Sequence, residues 1–332
     1  MQYKTLGRTG VLVSELCFGT MSFGSEANEE EAGLMFTQCR DAGINFFDCA
    51  NNYSGGKAEV ILGKLIKDCR DDVVITSKAS QRIGKDVNAL GSSRRHIMQA
   101  VEQSLMRLQT DRIDLYFIHH FDPLTPMDET LRVLDDLVRQ GKVLYLGVSN
   151  WAAWQISKAL GISERKGLAR FECIEPMYNL VKRQVEVEIL PLAESETLGV
   201  ISYSPLAAGL LTGKYASGVK PSTGRIGEKD QYGQRYSTPE YYDVAGRFTQ
   251  LAQEIGVRPG TLAISWVKSH PVITAPIIGA RNVAQLQDSL AAANFTMDAA
   301  LRERISSLSQ HPGTATDRLE EVLNPQFKLR NR

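Results

Sequence analysis

Short apolar runs alternate with longer amphipathic stretches along almost the whole chain. After an opening segment, eight runs of four to six mostly apolar residues are each followed by a stretch with helical periodicity. Runs this short and this continuously apolar are typical of parallel strands that are buried on both faces of a sheet. The predicted strands are residues 16–20, 45–48, 73–78, 113–118, 143–148, 171–174, 200–203 and 272–277.

The helical stretches fall between these strands, and two of them follow the seventh strand. Eight consecutive strand-then-helix units close into a barrel, whereas an open doubly wound sheet would place a glycine-rich turn after its first strand. Residues 17–24 contain no GxGxxG motif. We therefore predict an α/β fold, a (β/α)8 TIM barrel, in one domain over residues 1–332. The predicted helices are residues 28–41, 57–67, 93–108, 127–140, 151–160, 185–196, 244–255, 259–269 and 283–291.

Three segments lie outside this rhythm. Residues 1–15 predict an N-terminal β-hairpin, with Gly7 and Gly10 in its turn. Residues 213–242 are polar, glycine-rich and aperiodic, which predicts a long mobile loop after strand seven, over the carboxyl end of the barrel. A tolerated insertion is the alternative interpretation. Residues 310–332 predict an irregular C-terminal tail.

Composition excludes several classes of function. Lys+Arg and Asp+Glu both number 38, so no field of one sign attracts nucleic acid or an anionic membrane. No basic start with an apolar run occurs at Met1, and no apolar stretch could span a bilayer, so we expect a cytoplasmic protein. The cysteines are odd in number and scattered, which predicts reduced thiols at Cys17, Cys39, Cys49, Cys69 and Cys173.

Four polar residues stand at or just after strand ends, namely Asp48, Tyr53, Lys78 and His119. Each alone has a structural explanation: a turn cap, a rim aromatic, a surface ion pair and a satisfied core histidine. Neighbouring strands of a barrel bring their carboxyl ends together, however, so all four side chains can converge on one volume.

Such a cluster can deliver a proton to an oxyanion. A free tyrosine has a pKa of about 10, and a lysine ammonium ~4 Å away interacts with a phenolate by about 4 kcal/mol at an effective dielectric of 20. Lys78 would therefore favour proton loss from Tyr53. Asp48 would hold Lys78 charged, and His119 could donate a hydrogen bond to a carbonyl oxygen. This chemistry protonates an alkoxide as it forms.

An ordered set of short motifs makes the chain resemble the aldo-keto reductase family over nearly its whole length. It is most similar to the branch of potassium-channel β subunits and bacterial reductases. No cluster of Cys and His has zinc spacing, so the chemistry that the resemblance implies needs no metal. The motifs are residues 4–10, 17–20, 47–53, 113–119, 147–150, 203–206, 209–214 and 278–281.

The resemblance implies NADPH/NADP+ as cofactor, with NADH a less favoured alternative. Tyr53 is then the acid, Lys78 and Asp48 tune it, and His119 orients the substrate. His120 is the second choice for that last role, because its side chain is expected on the opposite face of the strand.

The same resemblance implies a cofactor-binding set. Ser149 and Asn150 would bind the nicotinamide carboxamide, Tyr203 would stack on the ring, and Arg281 would meet the 2′-phosphate, which an Arg fork suits. The residues expected to lie along the cofactor are Gly19, Thr20, Met21, Asp48, Ser149, Asn150, Glu175, Tyr203, Ser204, Pro205, Leu206, Gly209, Leu210, Thr212, Gly213, Lys214, Gly279, Arg281, Gln285, Asp288 and Ser289.

Two residues depart from the family pattern. Glu175 stands where the family usually has a glutamine, and an ionised carboxylate accepts hydrogen bonds but does not donate them. Ser289 stands where many relatives have an asparagine near the adenine. Both departures could alter cofactor affinity without altering the chemistry.

Three functional hypotheses remain open. The first is NADPH-dependent reduction of an aldehyde or ketone, and the second is a regulatory NADPH-binding module, as in channel β subunits. Those β subunits carry asparagine at the position of the catalytic histidine, so His119 favours the enzyme. The third is a barrel enzyme that binds a phosphorylated metabolite after strands seven and eight. The partner in the first hypothesis is a small carbonyl compound, and either a monomer or a homo-oligomer is compatible with the sequence.

The loops after the first, fourth and seventh strands would line the substrate pocket. Candidate apolar walls, any of which could instead be rim packing, are Met21, Phe23, Phe121, Trp151 and Tyr178.

Overall fold

Eight parallel strands close into a barrel, which confirms the predicted TIM barrel. The structure is a computed structural model and describes residues 1–215 and 224–318. The strands are β1 Tyr3–Thr5, β2 Leu12–Ser14, β3 Cys17–Gly19, β4 Phe46–Asp48, β5 Val74–Ala79, β6 Ile113–Ile118, β7 Val143–Ser149, β8 Phe171–Glu175, β9 Gly199–Ser202 and β10 Ala275–Ile278. From β3 to β10 each barrel strand pairs with the next one along the chain, and β10 closes the ring on β3.

The helices form the outer layer, and their ends follow local signals in the sequence. Asn28 caps the first helix by accepting from the backbone N–H of Glu31, and proline opens the ninth and tenth helices. The helices are α1 Glu29–Asp41, α2 Lys57–Ile66, α3 Arg94–Leu108, α4 Met127–Arg139, α5 Ala153–Lys166, α6 Ile189–Ser195, α7 Arg225–Glu228, α8 Asp230–Arg235, α9 Pro239–Glu254, α10 Pro259–Lys268, α11 Val283–Leu290 and α12 Ala299–Ser306.

The N-terminal hairpin closes the amino end of the barrel. β1 pairs antiparallel with β2, as predicted, and Leu6 packs into the inner core beside barrel-lining residues such as Phe46 and Cys173. Gly7 has a φ of +52°, and a Cβ placed there would lie 2.7 Å from the carbonyl oxygen of Glu172. Only glycine therefore fits this turn against the strand starts. The opposite, carboxyl end of the barrel is left to the longer loops.

The prediction for residues 213–242 is wrong in its secondary structure. Residues 216–223 lie outside the described part of the chain, but α7, α8 and the start of α9 occupy much of the rest. Ile226, Tyr232 and Tyr236 are buried and anchor this segment to the core. The segment reads as aperiodic because each helix is too short to show a repeat. Mobility of this segment stays a prediction.

The C-terminal region differs in one respect from the prediction. α12 was not predicted, and it packs Ile305 into the core. Residues 310–318 form no helix or strand, as expected for the tail, and the predicted tail beyond residue 318 lies outside the described residues.

Candidate active site

Strand register sets the polar side chains in a ring at the carboxyl end of the barrel. Gly19 is paired with Asp48, and Ser149 with Glu175, each pair at the last residue of its strand. Lys78 lies on β5, one residue before the end of that strand. Buried polar groups at such positions need a partner or a purpose. Several of these polar groups are partners of one another.

Lys78 is the centre of the site. Its side chain is fully buried, and its ammonium group contacts Asp48 Oδ1 at very short range and donates to the carbonyl oxygen of Cys49 at 3.0 Å. The Tyr53 hydroxyl lies 3.4 Å away, and Glu175 Oε2 lies 3.2 Å away. One ammonium thus contacts two carboxylates and one phenol.

Tyr53 reaches the site from the turn after β4. Ser54 and Gly55 both have left-handed backbone conformations, with φ values of 50° and 65°, and they bend the chain directly after the tyrosine. The tyrosine is half-buried as a residue, but its hydroxyl points inward to Lys78. Strained backbone at such a turn is common at functional sites, where it fixes a side chain in place.

The electrostatics of Tyr53 differ from the simplest expectation. Burial raises the pKa of Tyr53, Lys78 lowers it as predicted, and the charges of Asp48 and Glu175 raise it again, so that it stands well above its ordinary value. Burial is the largest cause of the raised pKa, and Lys78 does not offset it because its ammonium also contacts two carboxylates. Tyr53 is therefore a neutral phenol, with its proton in place, throughout the physiological range of pH.

Lys78 stays charged in spite of its burial. Burial lowers the pKa of Lys78, but Asp48, Glu175 and Tyr53 together raise it well above its ordinary value. Asp48 is itself held in place, because Thr76 donates to its Oδ1 at 2.6 Å. The predicted role of Asp48 as the residue that holds Lys78 thus agrees with the contacts.

His119 lies against the open side of Tyr53. The two rings meet edge to face with centroids 6.1 Å apart, and the backbone N–H of His119 donates to the carbonyl oxygen of Ala79. Burial, followed by the charges of Lys78 and His120, holds the pKa of His119 well below its usual range. Its Nδ1 is buried and has no hydrogen-bond partner within residues 1–215 and 224–318. A neutral imidazole with a free nitrogen is thus placed at the site.

The expectation that His119 and His120 point to opposite faces is wrong. Their rings stack with centroids 5.2 Å apart and an interplanar angle of 13°. β6 ends at Ile118, so both histidines lie in the following loop, where the alternation of a strand no longer applies. His119 nevertheless remains the buried member of the pair, and His120 the exposed one.

A set of hydrogen-bonded polar side chains adjoins His119. Asn150, at a φ of 59°, donates through Nδ2 to the carbonyl oxygen of His119 at 3.1 Å and accepts from the Tyr203 hydroxyl at 2.6 Å. The Ser149 hydroxyl donates to the carbonyl oxygen of Glu175 at 3.0 Å. Four predicted cofactor contacts therefore belong to one connected set.

The turn after β9 has an unusual backbone. Ala207, Ala208 and Gly209 take left-handed conformations in succession, with φ values of 50°, 57° and 94°. Thr212 donates to the carbonyl oxygen of Gly209 at 2.7 Å, and Lys214 lies against Gly209, whose added Cβ would be 3.0 Å from Lys214 Nζ. The absence of a side chain at residue 209 lets a cation approach the backbone here.

Cationic side chains converge beside this turn. Arg281 Nη2 pairs with Glu228 Oε2 at 2.8 Å, and partial burial, followed by the charge of Arg281 and a smaller effect of Arg225, lowers the pKa of Lys214. The backbone N–H of Arg281 donates to Gln285 Oε1. Arg281, Lys214 and Arg225 lie close enough for their charges to act on one another, and such a group of cations is suited to bind a phosphate group. These cations are therefore compatible with the phosphate groups of the dinucleotide cofactor that the sequence predicts.

The predicted adenine end is only partly open. Asp288 pairs with Arg258 at 3.0 Å on the surface, whereas Ser289 is almost fully buried. Ser22, a residue that sequence reasoning passed over, donates to the carbonyl oxygen of Ala280 and joins the loop after β3 to the segment before Arg281. Thr20 is also buried and donates to the carbonyl oxygen of Asp48.

Two of the five predicted substrate walls are wrong. Phe23 is fully buried and packs on Phe18 with centroids 5.9 Å apart. Tyr178 is fully buried against Trp266, and its hydroxyl donates to Glu186 at 2.6 Å. Both sit in the layer between barrel and helices, because the loops that carry them fold back over the core.

The other three walls stay predictions: Met21 and Phe121 are partly exposed, Trp151 is buried, and sequence reasoning missed some of their aromatic neighbours. Phe121 meets Trp151 edge to face at 5.0 Å and also contacts Trp154, which is 60% exposed, at 6.2 Å. The Tyr232 hydroxyl contacts the sulfur of Met21 at 3.9 Å. The spacing of Trp154 could have identified it, because it follows Trp151 by three residues at the start of a helix.

The described residues, 1–215 and 224–318, contain no group of three or more His, Cys, Asp or Glu side chains that could hold a metal ion. Over the same ranges no helix has both the length and the apolar character that a bilayer span requires.

Comparison with known proteins agrees with this geometry. The chain is 38% identical to the uncharacterized oxidoreductase YrpG of Bacillus subtilis, over 95% of this chain and 98% of that protein. It is 38% identical to a probable voltage-gated potassium channel subunit beta of Oryza sativa subsp. japonica, over 88% of this chain and 91% of that one. A putative channel subunit beta of Schizosaccharomyces pombe is 33% identical over 88% of each chain. Residues 15–310 match the aldo/keto reductase family, and the chain belongs to that family.

Proposed function

We propose that this protein reduces an aldehyde or ketone to the alcohol with NADPH, and that Tyr53 supplies the proton. Bound NADPH would supply a hydride for the carbonyl carbon, Tyr53 would supply a proton to the carbonyl oxygen, and the products would be the alcohol and NADP+. The observation that carries the proposal is the contact of the Tyr53 hydroxyl with a fully buried, charged Lys78 at 3.4 Å. Tyr241 also accepts from a lysine, Lys182, at 3.0 Å, but that lysine is not fully buried.

The residues of the site have complementary tasks. Tyr53 holds its proton in the resting site because its pKa is raised by burial, even though Lys78 lowers it. Lys78 stabilises the negative charge that develops on the phenol oxygen as the proton leaves. The neutral ring of His119 lies beside the Tyr53 ring, and it is suited to orient a carbonyl oxygen toward the hydroxyl.

The cationic groups beside the turn after β9 support a dinucleotide cofactor. Lys214 and Arg225 would hold its phosphates, and Arg281 would bind the 2′-phosphate that distinguishes NADPH from NADH. Ser149, Asn150 and Tyr203 would hold the nicotinamide end, and the cofactor would supply the hydride. Membership of the aldo/keto reductase family favours this use of the cations over a site for a phosphorylated substrate.

A regulatory module is the second candidate, and the similarity to channel β subunits favours it. Such a module would bind NADPH with little turnover. The set of Asp48, Tyr53, Lys78 and His119 supports the enzyme instead, because the side chains that the proposed proton transfer needs meet at one site. All five cysteines are free thiols, which is consistent with the proposed cytoplasmic location.

Substitution of the proposed acid tests the function directly. We expect Tyr53→Phe to lower kcat by about 10²- to 10⁴-fold on a panel of aldehydes and ketones, since one general acid is lost. NADPH binding, followed by fluorescence, should be retained. The loss of nicotinamide absorbance measures turnover.

Tyr145→Phe is the matched control, because the Tyr145 hydroxyl donates to the carbonyl oxygen of Thr9 at the closed end of the barrel. We expect it to leave turnover unchanged. Tight NADPH binding by the unsubstituted protein, without turnover of any carbonyl compound, would contradict the enzyme and favour the regulatory module.

A further inference from the structure

Glu175 gives this site a second carboxylate next to Lys78. Asp48 comes from β4 and Glu175 from β8, on either side of the β5 lysine. Their exposed fractions are 2%, 3% and 0% for Asp48, Glu175 and Lys78. Glu175 Oε2 is 3.2 Å from the ammonium nitrogen, at ion-pair distance but without a well-directed hydrogen bond from any described residue. Lys78 can neutralise only one of the two carboxylates.

The surroundings decide which carboxylate holds the negative charge. Asp48 accepts from both Thr76 and Lys78 at its Oδ1, so its ionised form is well solvated by the protein. Glu175 Oε2, by contrast, has only the ion-pair contact with Lys78 and accepts no well-directed hydrogen bond from the described residues. Burial, followed by the charge of Asp48, raises the pKa of Glu175 to about 8, although Lys78 lowers it. The three side chains then carry no net charge, with Asp48 ionised, Lys78 charged and Glu175 protonated.

The other titratable groups around Glu175 are uncharged near neutral pH. Burial raises the pKa of the Tyr53 phenol, and that of Tyr203 to about 12. Burial also raises the pKa of the Cys17 thiol on β3 and of the Cys173 thiol on β8 itself. Glu175 is therefore the one group of this set expected to change its charge between neutral and mildly alkaline pH.

Resting on the proposed function, we propose that Glu175 is a protonated carboxylic acid in the resting site and releases its proton to solvent when an oxidised, positively charged nicotinamide ring is bound. The Ser149 hydroxyl donates to the backbone carbonyl of Glu175, so the carboxyl group adjoins the set of polar side chains assigned to the nicotinamide. The ring is neutral in NADPH and positive in NADP+. A nearby positive charge favours the ionised form of a carboxyl group, whereas a neutral ring does not.

Glu175 is in this sense a positioning residue that couples a proton to the oxidation state of the cofactor. The direction follows from linkage: NADP+ binding tightens as pH rises toward about 8 and then levels off, while NADPH binding changes little. If NADP+ binding lowers the pKa of Glu175 by one unit, the ratio of the dissociation constants of NADP+ and NADPH changes about tenfold with pH. We expect a change of at least this size.

Infrared spectroscopy of the protein alone tests the protonation. The carbonyl band of a protonated carboxyl group should be present at pH 7 in the unsubstituted protein and missing in Glu175→Gln. It should decrease as the pH is raised through about 8. Glutamine has nearly the same shape and leaves the pairing of Lys78 with Asp48 intact. Identical carboxyl bands in the two proteins would overturn the proposal without bearing on the reductase.

Calorimetry in buffers of different ionisation enthalpy tests the coupling. At pH 7 we expect NADP+ to release substantially more protons than NADPH on binding to the unsubstituted protein, and we expect this difference to vanish in Glu175→Gln. Glu172→Gln, on the same strand but paired with Arg8 and Arg170 at the other end, should keep the difference.

Equal proton release by the unsubstituted protein and Glu175→Gln would overturn the coupling alone. Failure of both nucleotides to bind would overturn the proposed function and the coupling together, while the infrared result would still report the protonation of Glu175.

Discussion

Two charged clusters of this protein differ in their exposure to solvent. The inner cluster is Asp48, Lys78 and Glu175, which stand on barrel strands and are almost completely buried. The outer cluster is Lys214, Arg225, Glu228 and Arg281, which stand on short helices and loops after β9 and β10. In its ion pair, the Arg281 and Glu228 side chains are 27% and 39% exposed.

The difference shows how burial changes the task of a charge. In the inner cluster solvent does not screen the charges, so each charge shifts the pKa of its neighbours. A buried charge without a partner also destabilises the fold. In the outer cluster water and salt screen every pair, which leaves the cations free to exchange a carboxylate for a phosphate. A rigid, buried cluster is suited to proton chemistry, and a partly exposed one is suited to reversible binding.

The largest effect is expected from removing the inner cation. Lys78→Met leaves Asp48 buried without its partner, which should lower the free energy of unfolding by about 3–5 kcal/mol. Urea denaturation measures it. Lys64→Met is the matched control, because Lys64 pairs with Glu29 at 2.8 Å with both side chains about half exposed. We expect little change for Lys64→Met. Equal losses in the two variants would erase the distinction between buried and exposed pairs.

An intermediate effect is expected at the outer cluster. Arg281→Ala should weaken NADPH binding by about 10- to 100-fold, as expected for the loss of charged hydrogen bonds, and should leave NADH binding nearly unchanged. Fluorescence titration of both nucleotides measures it, and the difference should shrink as salt is added. Arg258→Ala, at the neighbouring pair with Asp288, should affect both nucleotides alike. Equal losses of NADPH and NADH in Arg281→Ala would remove the 2′-phosphate assignment.

The smallest effect is expected from the outer carboxylate. Glu228 occupies the guanidinium of Arg281 and so competes with a phosphate for it. Glu228→Gln should tighten NADPH binding by about two- to fivefold, in keeping with the small strength of exposed ion pairs. Titration at low ionic strength measures this. Weaker binding in the variant would mean that Glu228 positions Arg281 rather than competing for it.

Both clusters were partly visible in the sequence. Asp48, Lys78 and His119 stand out because polar residues interrupt or end apolar runs at the end of the barrel where the strands converge. Arg281 and Lys214 were found by resemblance to the family, not by spacing. Arg225 and Glu228 were missed, since they lie in a segment whose short helices leave no periodic signal.

The errors have a common cause. Phe23 and Tyr178 were assigned to the pocket because their loops follow barrel strands, but those loops fold back and bury both rings. His119 and His120 were expected on opposite faces, but the strand ends one residue earlier. In each case the error lies in the predicted direction of the side chain. Beyond the end of a strand that direction depends on packing, because the alternation of the strand no longer applies.

The sequence by itself determined the eight repeated units, the closed barrel that they imply, and the residue types available at its carboxyl end. Those features follow from local periodicity and from the short connections between neighbouring strands. Only the tertiary structure decided that Glu175 and Asp48 meet on the same ammonium, and that Tyr53 keeps a raised pKa in spite of Lys78. These depend on burial and on distances between residues on different strands, and those quantities exist only once the barrel has closed.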